Sequence, residues 1–176
     1  RNRPLGVFLR GFFVLLIWIT IYYDGGNIVS YIEIFDDKIS AENIHDIFVR
    51  VAGLSYTHGE QDNPDTPPTG VVAELGLDLS KQKVVKDMYD LYMSLCPASD
   101  SYNILQRAYV NLFAPGEQPY YHIDGDCMTM LYYVNPIWHP NQGGETKILQ
   151  SSDRDVFAIS PVPGRIAIFN GSLKHT

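Results

Sequence analysis

Any chemistry in this chain starts from its histidines. There are five, His45, His58, His122, His139 and His175, and one stands in the run His122-Ile123-Asp124. On a strand, residues two apart project from the same face, so this imidazole and this carboxylate would point together. A third donor from a distant strand would complete a three-ligand face on a metal such as Fe(II) and leave coordination positions open. His175, which follows the apolar run 165–170, is the candidate for that donor. A lone His-x-Asp is a weak signal, and the chain carries a decoy in His58-Gly59-Glu60, placed in a proline-rich stretch without strand periodicity. His45 and His139 have no ligand-spaced partner and read as ordinary surface or core residues.

The elements that must position these residues follow from the apolar pattern. Residues 28–35 are rich in β-branched side chains and read as a strand. Ser40 precedes Ile44, Ile47, Phe48 and Val51 at helical spacing and serves as the N-cap of a helix of about three turns. Residues 56–70 are polar, hold three prolines and read as a loop placed as a lid. Its acidic residues Glu60, Asp62 and Asp65 read as a solvated face, or as a surface for a basic peptide. A second helix spans 80–95, with Ser80 as its cap. Short strands follow at 103–113, 127–134, 145–150, 156–160 and 165–170, separated by Gly and Pro turns. Helices first and strands afterwards predict a mainly β, α+β fold with N-terminal helices packed on a sandwich or jelly roll.

Composition bounds the rest. The 176 residues are 45% apolar and 19% charged, which excludes disordered, collagen-like and coiled-coil classes. Thirteen Lys and Arg against twenty Asp and Glu give a formal charge of −7, and no basic cluster interrupts it, so nucleic acid is an unfavoured partner. Two cysteines, Cys96 and Cys127, make no disulfide scaffold and fit a reducing compartment, which suggests the cytoplasm. Residues 11–23, GFFVLLIWITIYY, carry no charge. As a helix they would span about 20 Å, short of a hydrocarbon core of about 30 Å. Residues 5–23, with Arg10 inside them, nevertheless offer a membrane anchor as the alternative, since Arg1, Arg3 and Arg10 precede the uncharged run and acidic residues follow it. The turn at Asp24-Gly25-Gly26-Asn27 then divides an apolar segment, 1–26, from a domain, 27–176. A first residue that is not Met, and an end at Thr176 with no stop signal and the last strand still missing, read as a fragment of a longer chain.

The surroundings of the His-x-Asp pair add specificity. Asn111-Leu-Phe113-Ala-Pro-Gly116 precedes it; Leu131-Tyr-Tyr-Val-Asn135, Gly143-Gly-Glu-Thr146, Pro163-Gly-Arg-Ile-Ala-Ile-Phe169 and His175 follow in order. This series resembles the iron(II)- and 2-oxoglutarate-dependent dioxygenases, most closely their prolyl-4-hydroxylase-like branch. The likeness runs from about residue 28 to 176 and is strongest from 103 onward.

The resemblance implies a double-stranded β-helix, or jelly roll. It implies Fe(II) on His122, Asp124 and His175, with 2-oxoglutarate as cosubstrate, O2 as oxidant and ascorbate as an accessory. Tyr133 matches a position that hydrogen-bonds 2-oxoglutarate, and Asn111 matches another, although Phe113 stands where that pattern has a Tyr. The implied reaction hydroxylates a C–H bond, of a prolyl or other protein residue, releasing succinate and CO2. A small-molecule hydroxylase and a non-catalytic metal-binding jelly roll are the alternatives. Asp124, being present, favours hydroxylation over halogenation. The Arg or Lys that grips the far carboxylate of 2-oxoglutarate in the family is expected beyond Thr176, because Arg165 precedes His175 and is misplaced for the role. Tyr120, Tyr121 and Trp138 are candidates for pocket walls, and Gly143 and Gly144 for a structural turn.

Overall fold

A computed structural model describes residues 14–22, 31–96, 104–150 and 154–176 of the chain. Among the described residues there are nine strands and two α-helices, in the order β-β-α-β-β-α followed by five strands. The strands are β1 (Val14–Tyr22), β2 (Ile32–Phe35), β3 (Thr57–Glu60), β4 (Thr69–Leu75), β5 (Ile104–Phe113), β6 (Cys127–Tyr133), β7 (Thr146–Leu149), β8 (Val156–Ile159) and β9 (Ile166–Asn170). The helices are α1 (Ala41–Ala52) and α2 (Lys83–Leu95). Seven strands form one antiparallel sheet in the order β2-β9-β6-β1-β5-β4-β3, and β7 pairs with β8 in a second.

The large sheet carries a core on each face. On one face Ile17, Ile19, Val110, Met130, Tyr132 and Ile168 pack against Val51 of α1 and Val85, Met88 and Tyr92 of α2. On the other, Leu16, Tyr109, Leu131, Tyr133 and Phe169 pack against Ile148 of β7 and Ile159 of β8. The sheet is therefore the middle layer, and its buried strand β6 contributes side chains to both cores, every residue of it buried. Such a strand reads as a continuous apolar run because neither face meets water.

Several expectations need correction. The helices do not precede the strands: β1 and β2 come before α1, and β3 and β4 lie between α1 and α2. Residues 14–22 of the apolar segment are neither a helix nor an appendage. They form β1, bonded to β5 on one side and β6 on the other, near the middle of the large sheet. A nine-residue apolar strand is stabilised there because both its edges find backbone partners and Ile17, Ile19 and Ile21 are buried together. Residues 1–13 and 23–30, including the expected boundary turn, lie outside the described residues. Among the described residues no helix is long and apolar enough to cross a membrane. The proline-rich stretch is a loop only in its middle. Its first part pairs as β3, putting His58 opposite Val71, and its last two residues open β4. Gly59 permits this hairpin, since a Cβ there would lie 1.6 Å from the Thr69 carbonyl oxygen.

The helix caps divide. Ser40 caps α1 and accepts from the Asn43 N–H at 3.3 Å, as expected. Ser80 does not cap α2. It closes a turn with Asp78, and α2 begins after Gln82 with no side-chain cap. At the β2 edge, Arg165 donates from Nε and Nη2 to both oxygens of Asp36, each at 2.8 Å, tying the start of β9 to the end of β2. The guanidinium holds the Asp36 carboxyl below its ordinary range.

Candidate metal centre

The site is built from backbone pairing. The His122 N–H donates to the His175 carbonyl and the His175 N–H to the His122 carbonyl, both at 2.9 Å. An antiparallel pair that exchanges two hydrogen bonds lies directly opposite, with both side chains on one face. Asp124, two residues along, shares that face. His175 is bridged on its other side by Ile148 of β7, and Thr176 and Lys174 bond to Lys147 and Leu149. The second sheet thus continues through residues 174–176 to His122, and His175 is held between two backbone neighbours.

The three side chains converge. One donor atom from each of His122, Asp124 and His175 lies within 4.8 Å of the others. His122 Nε2 stands 3.7 Å from Asp124 Oδ1, and His175 Nε2 stands 3.6 Å from Asp124 Oδ2. Ligands at metal–donor bonds of about 2.1 Å on adjacent octahedral corners would be about 3 Å apart, so a small contraction closes the set on an ion. The two rings are 4.5 Å apart, and Phe169 meets the His175 ring edge-on at 4.9 Å.

Each ring is oriented by its far nitrogen. His122 Nδ1 lies 3.0 Å from the Tyr120 carbonyl, and His175 Nδ1 lies 2.7 Å from the Leu173 carbonyl. Both contacts reach back two residues along the chain. A carbonyl can only accept, so each Nδ1 carries the proton and each Nε2 lone pair faces Asp124. Burial lowers the pKa of His175 below the ordinary histidine value, with the nearby Asp124 charge opposing it, so this ring favours the neutral form a metal ligand needs. Asp124 is fixed from behind by the buried Thr129 hydroxyl, which donates to Oδ2. Its N–H donates to the Gly171 carbonyl at 2.8 Å, and a Cβ on Gly171 would sit 2.6 Å from Cys127 Sγ and 3.0 Å from Asp124 Cβ. Glycine at 171 lets β9 end against the ligand strand.

A cavity of about 340 Å³ adjoins this centre through Tyr121 and Thr176, the chain neighbours of the two histidines. Phe113, Gly143, Gly144 and Thr146 also line it, so the expected structural glycine turn is part of a wall. Trp138 braces that turn by donating from Nε1 to the Gly143 carbonyl at 3.0 Å. Tyr133 stands behind the wall, fully buried, donating to Thr146 Oγ1 at 2.7 Å. Burial pushes its hydroxyl well above the ordinary tyrosine pKa. Asn111 is half-buried on β5 between Leu16 and Val72 in register. A somewhat larger cavity, about 390 Å³, lies between α1 and α2 on the opposite side of the sheet and holds no clustered ligand set.

His45, His58 and His139 are exposed and take no part. The residues that pattern reading passes over are Asp62, Thr129 and Gly171. Asp62 falls in an acidic loop, and none of the three shows a spacing that announces its partner. Comparison with known proteins finds no matching family model, no matching curated protein and no matching solved structure, so the metal reading rests on the geometry of this chain's own residues.

Proposed function

We propose that the chain is an Fe(II)- and 2-oxoglutarate-dependent dioxygenase of the prolyl-4-hydroxylase-like kind, and that its two sheets are the walls of a jelly roll. The observation that carries this reading is the convergence of His122, Asp124 and His175, with both imidazoles presenting Nε2 to one carboxylate. Two histidines and one carboxylate on one face, with positions left open, is the donor set of non-haem Fe(II) oxygenases. When bound, Fe(II) and 2-oxoglutarate supply the oxidation of a C–H bond by O2, with succinate and CO2 as co-products.

The chain's own residues bind, orient and shield. The His122–His175 backbone pair sets the ligands before any ion arrives, and Thr129 holds the carboxylate in place. Thr146 Oγ1 accepts a hydrogen bond from the Tyr133 hydroxyl, which leaves its own O–H to serve as a donor toward the cavity it lines. That pair, with Asn111 on the same side of the large sheet, is the place proposed for the cosubstrate. Phe113 and Tyr121 give the cavity apolar surface that excludes water. The proposed substrate is a prolyl or other protein residue.

The test is anaerobic. Fe(II) and 2-oxoglutarate added to the protein should produce a visible metal-to-ligand charge-transfer band, and His175→Ala should lack it. A protein that binds Fe(II) but shows no band with 2-oxoglutarate, both as this chain and when extended past Thr176, would be a metal-binding module and not this enzyme.

A further inference from the structure

We infer that Asp62 is a positioning residue for the metal centre, acting through the His122 ring. This rests on the metal reading of the triad. The Asp62 side chain is only 10% exposed and sends Oδ1 to within 3.4 Å of His122 Nδ1. Its Oδ2 accepts the Tyr120 N–H at 2.8 Å and the Thr69 hydroxyl at 3.5 Å. The carboxylate therefore grips the two residues that aim the ring: His122 itself, and Tyr120, whose carbonyl takes the Nδ1 proton. Asp62 lies just after β3, sixty residues before its partner in the chain.

Two physical effects follow. A negative charge beside the Nδ1–H raises the electron density at Nε2 and makes it a stronger ligand. A divalent ion on two neutral imidazoles and one carboxylate leaves a charge of about +1 in a half-buried site, and a second carboxylate close behind it offsets that charge. The loop of residues 61–68 thus delivers the Asp62 charge to the back of the centre, while its other acid, Asp65, faces solvent as expected. Asn63 braces the same loop, donating from Nδ2 to the Tyr121 carbonyl at 3.1 Å, but touches no ligand ring.

That difference makes the test. Co(II) affinity and the energy of its d–d bands would be measured for the full chain, for Asp62→Asn, and for Asn63→Ala. Asn at 62 keeps the size and an acceptor for Tyr120 but removes the charge. Its Co(II) affinity should fall ~10–100-fold and its bands shift, while the metal-free unfolding curve stays in place. Asn63→Ala should bind within about twofold of the unaltered chain, because this half-buried loop brace touches no ligand ring. Equal binding by Asp62→Asn and the unaltered chain overturns the role, as does an equal loss in Asn63→Ala, which would make bracing the cause. If Asp62→Asn does not fold, Asp62→Glu takes its place: restored folding without restored affinity also overturns the role. An unaltered chain that fails to bind Co(II), like His122→Ala, sinks the triad itself and this role with it.

Discussion

Asp124 faces both histidines at once, Oδ1 toward His122 and Oδ2 toward His175, and takes the Thr129 hydroxyl on Oδ2. A carboxylate that must meet two rings cannot rotate freely, and Thr129 supplies the restraint from a strand interior where it is wholly buried. Thr129→Val keeps the volume and removes the donor. Its Co(II) affinity, read by absorption titration, should fall by about tenfold, and Thr129→Ser should recover most of it. At this scale His122, Asp124 and His175 were legible because their types and the two-residue step carry the chemistry openly. Asp62, Thr129 and Gly171 were not. Asp62 and Gly171 meet partners that only the fold brings near, and Thr129 reaches Asp124 across a five-residue turn that no short motif marks. Gly171 is needed only because Cys127 and Asp124 crowd it.

The element that most altered the reading is β1. As a helix its apolar run would be too short to span a bilayer, and its β-branched residues at 17, 19, 20 and 21 favour a strand. The apolar pattern alone left strand and helix open, because a fully buried strand and a buried helix segment share a continuous apolar run. The backbone pairing decides: Ile19 lies opposite Ala108 on one side and Met130 on the other, 1% exposed. Ile19→Ala should therefore lower the unfolding free energy by about 2–4 kcal/mol in urea titration, the range for emptying a packed aliphatic site. A change near zero would put β1 outside the folded core. The later strands were read within a residue or two, since Gly and Pro turns mark their ends. The β3–β4 hairpin was missed because prolines at 64, 67 and 68 dominate the stretch between its strands.

At the scale of the molecule, the large sheet separates two tasks. The helix-facing core contributes stability without touching the site, while the other core ends at Phe169 against His175. The three converging side chains come from residues 122–124 and from 175, on either side of β6 to β9. An ion bound by all three holds the folded state and has no equivalent site in the unfolded chain. Metal at 100 times its dissociation constant should then raise stability by about 2.7 kcal/mol, seen as a higher thermal midpoint that a chelator reverses. His175→Ala should show no such shift.

By itself the sequence determined that strands dominate after residue 103, that a histidine and a carboxylate stand two apart at 122 and 124, and that His175 is a candidate third donor. These are local properties, written in residue type, turn chemistry and a period of two. Tertiary structure alone decided that the apolar stretch at 14–22 is a buried strand between β5 and β6, that His175 pairs directly opposite His122, and that Asp62 stands behind the ring. The reason is physical: backbone pairing and side-chain burial are contracts between distant segments, and no single segment states its partner.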